Sequence, residues 1–129
     1  MGRSPKRYWL PALAMMALLF LLSSIPGSSP VLLRGYNLTA HAVAYGLLGA
    51  LLLHALAGGR LRSVTIRHAA AAVAVAGLYG ISDELHQRFV PGRTAELVDL
   101  GADVAGALCG VLVVWACGIV LSVRQPGSG

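Results

Sequence analysis

Negative charge is scarce in this sequence. Five acidic residues occur in 129 positions, and none precedes Asp83. Charged residues of both signs make up 12%, roughly half the ~25% of an ordinary soluble domain. Cysteine occurs twice, at Cys109 and Cys117. Eight residues at about 1.5 Å each set the pair about 12 Å apart on a helix, too far to bridge. Without a CxxC spacing they offer neither a dithiol nor a zinc ribbon. Aromatic residues are 6% and do not interleave with the basic ones. The net charge of +5 therefore does not describe a nucleic-acid surface, and no nucleic-acid partner is expected. HExxH, GxSxG, a cysteine beside a histidine and a phosphate-binding glycine loop are all missing. Their absence argues against a zincin-type metal site, nucleophilic catalysis and nucleotide binding. Neither metal nor cofactor is expected.

What fills the chain is apolar: 57% of it, against roughly 45–50% for soluble domains. A core of this size cannot hide that excess, and a bilayer is the simpler solvent. Trp9–Ile25 is uncharged, flanked by a basic head and the interfacial aromatics Tyr8 and Trp9. Ser28–Tyr36 reads as a loop. Asn37 is placed to cap a second run, Leu38–Ala57. Ser63 is placed to cap a third helix, which starts near Val64 and continues past Asp83 toward Phe89, where Pro91 and Gly92 stop it. A fourth starts among Thr94–Asp99, with Thr94 as its cap, and runs to about Val123, before a polar tail. The expectation is an all-α integral membrane bundle of about four transmembrane helices, near 9–25, 38–57, 64–89 and 96–123, in one domain of residues 1–129. Ile25 and Pro26 stand where leader cleavage needs small residues, so the first segment reads as a retained helix. Seven of the ten Lys and Arg residues fall on the head, the Gly58–His68 loop and the tail; three fall on the other two connections. The positive-inside rule then puts both termini in the cytoplasm and Asp83–Asp99 at the outer face of a prokaryotic plasma membrane.

All five acids lie within twenty-one positions: Asp83, Glu84, Glu96, Asp99 and Asp103. Carboxylates at membrane depth are costly unless paired or hydrated. Partners stand nearby in His86, Gln87, Arg88 and Arg93. Asp83, His86 and Gln87 share a helical face at i, i+3 and i+4. Glu96, Asp99 and Asp103 share another, which continues through Gly106 and Gly110, where small residues let a helix approach closely. The same face is a candidate for contact with a second copy of the chain. Arg93, in the turn between helices three and four, is placed to bridge the two carboxylate groups. His41 and Tyr45, one turn apart on helix two, lie at the same depth. These residues outline a pocket of His41, Tyr45, Asp83, Glu84, His86, Gln87, Arg93 and Asp99.

SDELHQRFVPGRTAELVDLGADVAGALCG resembles the core motif of the VanZ-like membrane protein family. The family pattern is Asp-Glu-x-x-Gln, Pro-Gly-Arg, an Asp opening the last helix, and a glycine-containing stretch. Asp83, Glu84, Gln87, Pro91, Gly92, Arg93, Asp99, Gly106 and Gly110 fit it. Ser23–Gly27 and Asn37–Tyr45 resemble the upstream Ser-x-x-Pro and Asp-Lys-x-x-His-x-x-x-Tyr elements. Asn37 and Leu38 replace the usual Asp and Lys, and Asp103 stands where Asn is common, so an acid has in effect moved from helix two to helix four. The resemblance implies a membrane bundle. It implies function more loosely, because the family is named for a protein that raises teicoplanin resistance and most members are not known to act on any antibiotic.

Three readings follow. In the first, the chain binds or modifies a polar headgroup at the outer face, such as a cell-wall precursor or lipid-linked sugar, with a possible effect on glycopeptide susceptibility. Arg93, with Gln87, Asp99 and Tyr45, would hold the ligand; Asp83 and Glu84 would act as base or orient it; His86 and His41 would move protons. Whether that makes the chain an enzyme stays open. In the second, the charges only staple helices together in a non-enzymatic assembly module among membrane lipids. In the third, the chain is a small proton-coupled transporter.

Overall fold

The computed structural model describes residues 5–26, 37–94 and 96–124. Four α-helices account for most of them: α1 Leu10–Ser23, α2 Asn37–Leu56, α3 Ile66–Gln87 and α4 Leu97–Arg124. Short 3-10 turns at Pro5–Tyr8 and Leu61–Ser63 precede α1 and α3. The architecture is all-α, as expected. The Ser28–Tyr36 loop, the first four residues and the tail beyond Arg124 lie outside the described residues.

The helix starts differ from expectation in ways that local chemistry explains. Thr65, not Ser63, caps α3. Its hydroxyl accepts from His68 N–H at 3.4 Å, and His68 Nδ1 accepts from Thr65 N–H at 3.2 Å. That reciprocal capping box satisfies two otherwise orphaned donors, whereas Ser63 is spent in the preceding turn. α3 ends at Gln87, and Phe89 belongs to the turn beyond it. At α4 the cap position falls to Glu96, whose carbonyl accepts from Asp99 N–H at 3.1 Å. Thr94 instead donates its hydroxyl to the Glu96 carboxylate at 3.4 Å. Gly92, with φ of 74°, makes the reversal between α3 and α4 in a left-handed conformation that a side chain would oppose.

α2 is the central helix. Its Tyr45, Leu48, Leu52 and Leu53 are fully buried against Ala72 and Ala76 of α3 and Ala107 and Val111 of α4. α2 and α4 touch backbone to backbone. A Cβ added to Gly106 would lie 2.1 Å from the Ala42 carbonyl oxygen, and one added to Gly110 would lie 2.0 Å from that of Gly46. The Gly106–Gly110 face is therefore packed against α2 of the same chain. α1 is peripheral and buries only Ala12, Leu19 and Ser23.

Large apolar side chains cover the outside, among them Leu21, Leu47, Leu78 and Val113. In water such a surface would be untenable; in lipid it is the required one. Pro5–Ser23, Leu38–Leu56 and Leu97–Arg124 are each long and apolar enough to cross a membrane. α3 has the length, with 22 residues, and carries its charges near its ends. Both cysteines are free and face outward. The bundle is polarised: Lys6, Arg7, Arg60, Arg62, Arg67 and Arg124 stand at one end, and every acidic residue stands at the other.

Candidate functional site

At the acidic end α1 and α3 finish while α2 and α4 begin, so four helix termini surround one volume. His41 and Tyr45 enter it from α2 one turn apart, their rings parallel within 2° and 6.3 Å between centroids. His41 Nδ1 lies 2.6 Å from Asp103 Oδ1. Tyr45 donates its hydroxyl to Asp83 Oδ2 at 3.3 Å. A His–Asp pair linking α2 to α4 thus stands beside a Tyr–Asp pair linking α2 to α3. Asp103 is fully buried, and Asp83, Asp99 and Gln87 nearly so.

One ligand atom from each of His41, Asp83 and Asp103 lies within 4.8 Å of the other two. Asp103 belongs to the expected acidic stripe but not to the expected pocket. It was hidden because its partner, His41, is 62 residues away on another helix. The sequence signal was the stripe itself: Asp103 shares the Asp99 face, and that face had to meet a neighbour.

The structure splits the remaining expected residues into supporting roles. Glu84 Oε2 accepts from Glu96 N–H at 3.0 Å, so a carboxylate on α3 satisfies a donor at the start of α4. His86 meets α1. It pairs with Ser24 Oγ at 2.9 Å and stacks on Phe20 at 4.5 Å, which docks the end of α1 on α3. Arg93 turns to the end of α1: its Nε donates to the Ile25 carbonyl and its Nη2 to that of Leu22, each at 3.0 Å. A cation on the last carbonyls of α1 is favourable because helix carbonyls there lack intrahelical donors. Tyr79 further ties α1 down by donating to the Met16 carbonyl.

Between α1, α2 and α3 lies a cavity of about 230 Å³. Its polar lining is Ser23, His41, Tyr45, Asp83, Gln87 and Arg93; α1 contributes an apolar wall of Leu19 and Leu22. Among the described residues, three buried side-chain oxygens have no hydrogen-bond partner: Ser23 Oγ, Glu84 Oε1 and Asp103 Oδ2. All three are at this end. Ser23, absent from the expected pocket, is the serine of the Ser-x-x-Pro element.

The VanZ/LLP1 pattern matches residues 8–121. The chain belongs to the VanZ/LLP1 family. The match takes in α1, α2 and α3, α4 as far as Leu121, and every residue of the cavity. No curated protein and no solved structure matches this VanZ/LLP1 member.

Proposed function

We propose that this VanZ/LLP1 chain binds the polar headgroup of a lipid-linked envelope precursor in the cavity between α1, α2 and α3. The observation that carries the reading is the cavity's two-sided lining, with hydroxyl, amide, imidazole and carboxylate groups on one side and leucines of a peripheral helix on the other. A molecule with a polar head and an apolar tail matches that division. Ser23 Oγ has no partner among the described residues, and a buried polar atom left bare costs about 1–3 kcal/mol; a ligand hydroxyl or phosphate oxygen would satisfy it. Arg93 supports the same reading, because its position on the lining adds positive charge beside the opening. With the acidic end outside, the headgroup would come from the outer leaflet.

The test is binding of a polyprenyl diphosphate-linked sugar to the protein in lipid nanodiscs, against a glycerophospholipid of matched charge. The precursor is expected to bind at least about 10-fold more tightly, a difference of about 1.4 kcal/mol. Ser23→Ala and Asp83→Asn are expected to remove that preference while folded yield and thermal stability stay near wild type. If both variants lose folded protein in step with binding, the polar groups are a structural staple and the headgroup reading fails. Equal binding of the two lipids by the wild type also defeats it.

A further inference from the structure

We propose that His41, Asp83 and Asp103 form a site for one divalent transition cation of the Mn²⁺ or Zn²⁺ class. The three side chains come from three helices, and their candidate ligand atoms already lie within 4.8 Å of one another. An ion held at about 2.1 Å would draw tetrahedral ligands to about 3.4 Å apart, a contraction that side-chain rotation supplies. The donor set is one imidazole nitrogen and two carboxylate oxygens. Such a set suits a borderline ion: thiolates, which select the softest metals, are absent from it, and an all-oxygen cage, which suits Ca²⁺ or Mg²⁺, is not offered.

Two independent observations point to a ligand here. Asp103 is fully buried, yet its Oδ2 has no hydrogen-bond partner among the described residues. That oxygen lies against Gly80 on α3, one turn before Asp83, where a Cβ would stand 3.2 Å from it. The missing side chain at Gly80 leaves the carboxylate room on the side of Asp83. Charge points the same way. Two carboxylates, those of Asp83 and Asp103, share this buried volume with one imidazole. A divalent ion would balance the excess negative charge that lipid surroundings penalise.

Binding would displace the proton held between His41 Nδ1 and Asp103 Oδ1, making both available as ligands. Three protein ligands leave a coordination position open, and His41 and Asp83 both line the cavity. An oxygen of the ligand's phosphate fits that position. This last role rests on the headgroup reading above; the binding of the ion does not.

The experiment uses the full chain in nanodiscs, stripped with chelator and titrated separately with Mn²⁺ and Zn²⁺ by calorimetry, with bound metal counted by elemental analysis. One equivalent of at least one ion is expected per chain. His41→Gln and Asp103→Asn are expected to weaken it by about 100-fold or more, since even residues that only orient metal ligands are worth 10–100-fold. His68→Gln, at the far end of α3, is expected to leave it unchanged. Thermal unfolding in chelator checks that each variant is folded, and Asp83→Asn stands in for any that is not. Absence of binding at millimolar metal overturns the proposal, as does undiminished stoichiometry in the His41→Gln/Asp103→Asn double variant. Precursor binding that is equal with metal and with chelator removes the ion from ligand recognition and leaves the headgroup reading standing. Metal binding without precursor selectivity does the reverse.

Discussion

Asp103 shows how much one buried side chain can decide. Its carboxylate has no exposure and meets His41 Nδ1 at 2.6 Å. Removing one partner of a buried pair leaves the other uncompensated, which costs about 3–5 kcal/mol, whereas replacing both with apolar residues is often neutral or stabilising. His41→Ala is therefore expected to destabilise the apo bundle by about that amount in reversible mixed-micelle unfolding. The His41→Leu/Asp103→Leu double variant is expected to recover most of the loss and to have no metal or headgroup affinity. A double variant as unstable as the single one would mean that the pair is needed for folding. The two classes of role, staple and site, are separated by this contrast better than by any single substitution.

Among the elements, α2 and α4 set the frame, because their glycines remove the side chains that would hold the helices apart. Gly110→Ala would place a Cβ 2.0 Å from the Gly46 carbonyl oxygen. It is expected to cost about 3 kcal/mol or more, since overpacking against backbone cannot be relieved by a rotamer change. Gly101→Ala meets nothing within 4 Å and is expected to be neutral or stabilising by up to about 1 kcal/mol through helix propensity. The same unfolding assay ranks the two, and equal effects would argue against the close α2–α4 contact. The stripe of Gly106 and Gly110 was legible in the sequence, and so were four helices, their order and the depth shared by His41, Tyr45 and the acids. What lay opposite the stripe was not legible, since small residues permit an approach without naming the partner. The direction of Arg93 and His86 was hidden for a related reason. Their charge points toward nearby acids on α3 and α4, but the end of α1, more than sixty residues away in sequence, offers them carbonyls, a hydroxyl and a phenyl ring. Helical spacing reports which residues share a face; it carries no information on which other helix that face meets.

For the whole molecule, the separation of charge along the bundle axis is the property with the widest consequence. Six basic residues among those described stand at the end opposite the acids, and basic loops are retained in the cytoplasm far more strongly than acidic ones are exported. Both termini are therefore expected inside, with the His41–Asp103 pair and the cavity opening near the outer leaflet. A phosphatase reporter that is active only outside should be silent when fused after Arg124 and active when fused after Gly92; a cytoplasm-dependent fluorescent reporter should give the opposite pattern. Replacing Arg60, Arg62 and Arg67 with Gln removes half of that basic set and is expected to yield a mixed population, because the retention signal would then differ little between the two ends. Activity after Arg124 in the unmodified chain would place the cavity in the cytoplasmic leaflet. The headgroup would then have to be one presented on the inner face, while the metal site, which depends only on distances within the bundle, would be unaffected.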